Sequence, residues 1–253
     1  MATETLLEGA VTFAAAGWSG SGIADNNDYI INKPFGPIAA GLDQSGLTTG
    51  IESLWILPGA AGIIGGGAAG AFTVDADASA DAFVANYGSV TLYLTAGGGS
   101  GVINNFSCGA GSINYLQGGA VTTIVQDGGT LFVNASTDFD DLYQGGGNLT
   151  VEYFATNADS ITIDGGTAFI KRMPTTLTVN GGKLDWRAGA IPTVALNSGT
   201  VNLQNARISF TPGGTAGTYS SGCTIARNDA VVSLANITNI GSGKANVGGA
   251  TPL

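Results

Sequence analysis

The chain has 253 residues, of which 44% are hydrophobic, only 10% are charged, 42 are Gly and none is His. The lack of His excludes imidazole bases and His-ligated metal centres, and two Cys are too few for a thiolate zinc module or a four-thiolate iron–sulfur cluster. The formal net charge of −10 gives no dense basic footprint for phosphate backbones, so nucleic acid is not expected as a partner. Abundant Gly disfavours helices, at a cost of about 1 kcal/mol per helical position relative to Ala. We therefore expect an all-β, non-enzymatic protein with no cofactor.

Residues 1–40 are predicted to form an N-terminal arm or cap. The start of the chain is acidic and lacks the basic region of a secretory signal, so synthesis in the cytoplasm of the producing cell is expected. Irregular loops on a rigid scaffold commonly carry contacts, and aromatic side chains are enriched at interfaces. The candidate partner contacts are therefore the aromatic and proline residues of this segment, Trp18, Pro34, Phe35 and Pro37.

Residues 41–210 are predicted to form the body of the protein. The runs 51–56, 89–94 and 112–116 alternate apolar and polar residues and predict strands between Gly-rich corners. The Gly-rich segment 65–70 lacks the Lys-Ser/Thr that completes a phosphate-binding loop, which predicts a corner. The most apolar stretch, 59–72, is broken by glycines and is far shorter than the roughly 20 residues of a membrane-spanning helix, so no membrane partner is expected.

A short motif then recurs five times. It has Asp or Asn in four of the copies, a Gly at its third position and an alternating run after it, and it occupies residues 127–133, 145–151, 164–170, 180–186 and 197–203. The last glycines of the copies follow one another at nearly constant intervals, at Gly129, Gly147, Gly166, Gly182 and Gly199. Four copies follow a short alternating run, at 123–125, 161–163, 177–179 and 194–196. A regular period of this length is typical of a repeat architecture.

The repeat predicts a single-stranded β-solenoid (β-helix) with coils of about 17 residues. Asp-Gly and Asn-Gly tolerate the positive φ of a sharp corner, although a hairpin would use the same residues. The constant period decides for stacked coils, because each coil must match the perimeter of its neighbours. Trp186 occupies an inward position and is predicted to lie in the core. The corner residues Asp127, Asp164, Asn180 and Asn197 should form a ladder that the two Asp interrupt.

The acidic cluster Asp138, Asp140 and Asp141 is the best candidate for chemistry. In an extended chain Asp138 and Asp140 would share one face about 7 Å apart, which is near the carboxylate spacing of inverting glycosidases. Oxygen ligands of this kind also suit Ca²⁺. The interpretation we favour is a solvated loop bulging from one coil, with no catalytic and no metal site.

Residues 211–253 are predicted to cap the solenoid, because the pattern breaks at the Pro-Gly-Gly of 212–214. Residues 171–253 carry seven Lys/Arg against two Asp, and these dispersed charges are interpreted as a solvated surface. Cys108 and Cys223 are predicted not to be bonded to each other, since several coils would separate them.

The run 38–47, followed by Gly50-Ile51-Glu52-Ser53-Leu54-Trp55-Ile56 and then by Gly-Gly coils, resembles β-helical structural proteins of tailed bacteriophages, and more narrowly their head decoration (cement) proteins. The resemblance implies a homotrimer that binds the major capsid protein on the outer capsid surface of the virion and stabilises it. The alternative is a tail fibre, tailspike or adhesin that binds or cleaves surface glycans.

Overall fold

The computed structural model describes residues 3–10, 19, 27–38, 51–66, 71–74, 82–96, 102–153, 160–171, 174–187, 193–202, 217–227, 237–239 and 244–247. In these residues the regular structure is entirely β-strand. The strands are β1 (Thr3–Thr5), β2 (Asp28–Ile31), β3 (Ser53–Ile56), β4 (Ala61–Ile64), β5 (Phe72–Val74), β6 (Ala82–Asn86), β7 (Ser89–Ala96), β8 (Ile103–Cys108), β9 (Ile113–Leu116), β10 (Gly119–Gln126), β11 (Thr130–Val133), β12 (Thr137–Gln144), β13 (Asn148–Val151), β14 (Ser160–Ile163), β15 (Thr167–Ile170), β16 (Thr176–Val179), β17 (Lys183–Trp186), β18 (Thr193–Asn202), β19 (Gly217–Arg227), β20 (Ile237–Asn239) and β21 (Lys244–Val247).

The chain divides into two compact units, unit 1 (Met1–Phe139) and unit 2 (Asp140–Leu253). Unit 1 contains two ladders of parallel strands. The first pairs β1 with β2, β2 with β3, β3 with β6, β6 with β8 and β8 with β10. The second pairs β4 with β7, β7 with β9 and β9 with β11, and β5 also pairs with β7.

Unit 2 repeats this arrangement. One ladder joins the end of β12 to β14, then β16, β18, β19 and β20. The other joins β13, β15, β17, β18, β19 and β21. Every pairing is parallel and links each strand to one in the next coil, whereas a hairpin would pair adjacent strands antiparallel. The register confirms the predicted β-solenoid.

The core of each unit is built from columns of inward side chains. In unit 1 one such column contains Tyr29, Leu54, Val84, Phe106 and Ile124, which are aligned by the strand register. Each of these residues is at most 1% exposed. Because alternate residues of a strand point to opposite faces, one column per inward position fills the space inside the coils.

Unit 2 has the same construction with a shorter coil. Thr167 pairs with Lys183, and Ile170 pairs with Trp186. Trp186 is fully buried, so its predicted place in the core is confirmed.

The glycine corners have the conformation that the motif predicts. The last glycine of every copy has positive φ: Gly129 (67°), Gly147 (77°), Gly166 (75°), Gly182 (71°) and Gly199 (92°). At Gly182 a Cβ would also lie 2.7 Å from the carbonyl carbon of Gly165 and the carbonyl oxygen of Gly166 in the preceding coil. The corner therefore requires glycine twice, for its backbone angle and for the closeness of the neighbouring coil.

Buried amide side chains hold several corners from the inside. In unit 1 the Nδ2 of Asn86 donates to the backbone oxygen of Val90 at 3.1 Å and to the Oδ1 of Asn114 at 2.7 Å. In unit 2 the Nε2 of Gln144 donates to the backbone oxygens of Gly147 at 3.3 Å and Thr167 at 3.2 Å. These residues satisfy carbonyls that the turn would leave unpaired inside the coils.

The ladders extend beyond the predicted body at both ends. Thr3–Thr5 already pairs with Asp28–Ile31, so coil stacking begins well before residue 41. Gly217–Arg227 pairs with both Ile237–Asn239 and Lys244–Val247, so parallel pairing continues through the segment 211–253. The Gly-Gly motif underestimates the solenoid because ladder pairing needs only extended backbone, whatever the length of the intervening loop.

Candidate functional site

Three aromatic rings in unit 1 are stacked one above another on an outer face, and we call Tyr93, Tyr115 and Phe132 the aromatic ladder. The ring centroids of Tyr93 and Tyr115 are 4.6 Å apart with planes 6° from parallel. Those of Tyr115 and Phe132 are 4.9 Å apart with planes 3° from parallel. The spacing matches the distance of about 4.8 Å between neighbouring strands, so each coil contributes one rung.

The strand register creates this ladder. Tyr93 in β7 pairs with Tyr115 in β9, and Tyr115 pairs with Phe132 in β11. At the end of the ladder the Tyr93 ring lies over Gly66, where an added Cβ would be 2.6 Å from the ring. The backbone of Gly66, with φ of 87°, therefore provides the flat surface against which the first ring packs.

A second outward row runs beside the ladder. It is formed by Ile63, Thr91, Ile113 and Thr130, which pair in this order. Ile63 is 43% exposed and Ile113 is 39% exposed. Together with the aromatic ladder these four residues form what we call the exposed strip, and none of its seven side chains is charged.

The geometry of the ladder limits the ligands that it suits. Sugar rings stack on the faces of aromatic side chains, where the π-electron density lies. The faces of Tyr115 are covered by Tyr93 and Phe132, and a face of Tyr93 is covered by Gly66. The exposed strip therefore presents ring edges, methyl groups and hydroxyls, which suit contact with another protein surface better than stacking with a glycan.

A second aromatic pair lies on the first ladder of unit 1. The ring centroids of Trp55 and Phe83 are 4.5 Å apart, and Trp55 is 38% exposed. The indole Nε1 donates to the Oγ of Ser53 at 2.9 Å, and this hydroxyl donates to Asp28 at 2.6 Å. This chain of hydrogen bonds fixes the orientation of the Trp55 ring on the surface.

The candidate contacts of the N-terminal segment separate into different environments. Pro34 and Pro37 are exposed, as a contact residue must be. The expected exposure of Phe35 is wrong: it is only 8% exposed, because its ring packs on Gly62, where a Cβ would lie 2.7 Å away. Trp18 lies outside the described residues.

The acidic cluster is not the predicted loop but part of strand β12. Asp138 and Asp140 are exposed, and the buried side chains around Asp140 and Asp141 are Phe139 and Leu142. Because those buried residues are three positions apart, the alternation slips by one residue and two successive aspartates lie outside the core. The described residues contain no group of three or more His, Cys, Asp or Glu side chains placed to hold a metal ion.

Basic residues of unit 2 are paired with acids at its surface. Lys171 Nζ lies 2.8 Å from Glu152 Oε2, and Arg187 lies 3.2 Å from Asp185. The Arg187 guanidinium carbon is 4.2 Å from the centroid of the Phe169 ring, and Lys171 Nζ is 5.2 Å from it. These charges form a locally neutralised surface network, in agreement with the solvated surface predicted for this part of the chain.

Cys108 is a buried free thiol inside unit 1, which agrees with the prediction that it forms no disulfide with Cys223. Burial, and to a smaller extent the charge of Asp127, raises the pKa of Cys108 to about 12. A thiol in this state stays protonated at neutral pH and is a poor nucleophile.

Among the described residues, no helix is long and apolar enough to cross a membrane. Comparison of the chain with protein-family models, with curated proteins and with solved structures finds no match.

The strip residues were not among the candidates from sequence. Tyr93, Tyr115 and Phe132 each occupy an outward position of an alternating run, which was a usable signal. The stretch of chain from Tyr93 to Tyr115 is longer than that from Tyr115 to Phe132, so their alignment became visible only with the strand register.

Proposed function

We propose that this chain is a structural attachment protein, of the kind that decorates the outer surface of a bacteriophage capsid as a homotrimer. The observation that carries the proposal is the exposed strip: seven uncharged side chains on a flat parallel sheet, including Ile63 and Ile113 at about two-fifths exposure. Exposed apolar patches on a rigid surface commonly mark protein contacts.

The solenoid framework supports a mechanical role. Parallel ladders join every coil to the next through backbone hydrogen bonds, so a load applied at one coil is shared by its neighbours. A decoration protein needs this property because its task is to hold neighbouring capsid subunits in fixed positions. The resemblance of residues 38–56 to head decoration proteins points to the same class of partner.

The glycan-binding alternative is less well supported by the site. The aromatic rings of the strip cover one another's faces, as described above, and Asp138 and Asp140 lie on a strand surface. A glycan hydrolase requires two carboxyl groups placed on opposite sides of a bound sugar. Nothing in the described residues provides such an enclosed arrangement.

The copy number of the chain in virions tests the proposal. Virions purified from the producing cells would be analysed by quantitative mass spectrometry against the major capsid protein. A decoration protein should be present in hundreds of copies per particle. A few copies per particle, or absence from particles together with binding to a glycan array, would overturn the proposal in favour of a fibre or adhesin.

Point substitutions test whether the exposed strip makes the contact. Ile63→Lys combined with Ile113→Lys should abolish attachment to capsids that lack the protein, because two charges would have to be desolvated in the interface. Tyr143→Lys is the matched control, since Tyr143 is 42% exposed and lies outside the strip. Equal attachment of both variants would place the contact elsewhere. Light scattering of the wild-type chain tests the homotrimer independently.

Substitution is a sharper test here than truncation. Removing residues 1–30 would delete β1 and most of β2, and β3 would then become an unpaired edge. An exposed parallel edge tends to pair with other chains, so loss of attachment in such a truncation would have two explanations.

A further inference from the structure

The corner residues of unit 2 form a ladder of hydrogen-bonded side chains, which we call the corner ladder. The Nδ2 of Asn197 donates to the Oδ1 of Asn180 at 2.7 Å. The Nδ2 of Asn180 in turn donates to the Oδ1 of Asp164 at 2.7 Å. Asp164 thus ends the ladder as an acceptor, where the sequence predicted an interruption. All three side chains lie on the exposed side of the corner.

The central rung of this ladder is chemically vulnerable. Asn180 is followed by Gly181, and this is the only Asn-Gly dipeptide in the 253 residues. Gly lacks the Cβ that hinders attack of the following backbone nitrogen on the Asn side chain. In that reaction the Gly181 nitrogen loses its proton and bonds to Cγ of Asn180, while the Cγ–Nδ2 bond breaks and ammonia leaves. Water then opens the succinimide to aspartate or isoaspartate.

The folded corner opposes this reaction at both reacting groups. The Gly181 backbone N–H donates to the carbonyl oxygen of Ile163 at 3.2 Å, and that of Asn180 donates to the same oxygen at 2.7 Å. The Asn180 amide is held at its nitrogen by Asp164 and at its oxygen by Asn197. Attack would require the side chain to leave both partners and the Gly181 nitrogen to give up its hydrogen bond.

We propose that Asn180 is a latent deamidation site that reacts when the corner of its coil opens. The product changes the corner ladder permanently. A carboxylate at residue 180 has no proton to donate to Asp164, and it places a second negative charge at the distance now spanned by a hydrogen bond of 2.7 Å. The donor from Asn197 can still be accepted, so the damage is confined to one rung. Each reacted chain therefore keeps a record that this corner has opened.

Peptide mapping measures the reaction directly. Trypsin cuts after Arg172 and Lys183, so Asn180 lies in the peptide 173–183, apart from residue 164. The chain would be incubated at pH 8 and 37 °C, folded and in denaturant, and the mass increase of this peptide followed with time. We expect deamidation in the unfolded chain and strong protection in the folded chain. Equal rates in the two states would overturn the proposal without any variant.

Three variants test the part played by the ladder. Asp164→Ala removes the acceptor and should raise the folded-state rate by a factor of about 3–10, which corresponds to the loss of one hydrogen bond. Asp164→Asn keeps an acceptor oxygen and should retain most of the protection. Thr175→Ala, at an exposed position of the same coil outside the ladder, is the control and should leave the rate unchanged. An Asp164→Ala rate equal to that of Thr175→Ala would refute the role of the ladder.

A final measurement tests the permanent change. Asn180→Asp reproduces the main product, and it should melt at a lower temperature than the wild type near neutral pH. This difference should shrink in high salt, because the repulsion with Asp164 is exposed and screened. A melting temperature unchanged by Asn180→Asp would show that the rung does not matter for the corner.

Discussion

The ring of Phe132 lies parallel to that of Tyr115, with a centroid distance of 4.9 Å, although the two residues belong to different coils of the chain. Tyr115 is stacked in the same way on its other side by Tyr93. It is therefore the only ring of the aromatic ladder that has aromatic neighbours on both faces. This position makes Tyr115 the residue whose removal should disturb the exposed strip most.

Tyr115→Ala is expected to lower the free energy of unfolding by about 1–3 kcal/mol, because two aromatic pairs are lost and each contributes about 0.5–1.5 kcal/mol. Urea denaturation followed by circular dichroism measures the change. Tyr143→Ala removes a similarly exposed ring from β12 and should cost less than about 1 kcal/mol. Equal losses in the two variants would mean that the stacking adds nothing to stability.

Trp186→Ala should be far more destabilising, because Trp186 is fully buried at the end of β17. Truncation of a buried aromatic residue typically costs about 3–5 kcal/mol. The comparison is Trp55→Ala, since Trp55 is 38% exposed and its loss should leave a much smaller cavity. Guanidinium denaturation midpoints would rank the two. A Trp55 variant less stable than the Trp186 variant would contradict the assignment of the core.

Gly182→Ala tests the closeness of the coils at a corner. Gly182 and Gly9 have nearly the same φ, 71° and 73°, so Ala costs about 1–2 kcal/mol of backbone strain at either position. A Cβ at Gly182 would also meet the backbone of the preceding coil at 2.7 Å, whereas at Gly9 it would meet nothing within 4 Å. We therefore expect Gly182→Ala to lower the thermal midpoint clearly more than Gly9→Ala. Matching midpoints would show that the corner can widen freely.

The buried thiol of Cys108 predicts a loss of stability at alkaline pH. Burial raises its pKa from the ordinary 9.0 to about 12 in the folded chain. Below pH 9 the thiol is protonated in both states and contributes no pH dependence. Between pH 9 and 12 only the unfolded chain releases the proton, so stability falls by up to roughly 1.4 kcal/mol per pH unit.

A Cys108→Ala variant separates this effect from other groups that titrate at high pH. Tyr87 is one of these, because its pKa is also raised by burial. The variant will be less stable overall, but its unfolding free energy should fall less steeply with pH above 9 than that of the wild type. Parallel curves would show that the thiol does not titrate as its burial requires. Urea denaturation at several pH values provides both curves.

The strand register also shows why some sequence predictions failed. Phe35 lies in a turn-rich segment and was expected to be exposed, but its ring packs on Gly62 of strand β4, which is distant in the chain. Asp138 and Asp140 were expected in a loop, but they belong to a strand whose neighbours include the buried Phe139. Inward Asn86 and Gln144 were not identified, because polar residues at core positions interrupt the apolar pattern from which cores are inferred.

The sequence by itself determined the features that depend on local chemistry. Alternating apolar residues specified the strands, and the glycines of the repeat specified corners of positive φ, as Gly182 shows. These preferences act over only a short stretch of chain. Only the tertiary structure decided which outward side chains meet, because coils in unit 1 differ in length: Tyr93 pairs with Tyr115 across a longer coil than the one that separates Tyr115 from its partner Phe132. Backbone hydrogen bonds between coils fix that register, and the loop lengths absorb the difference.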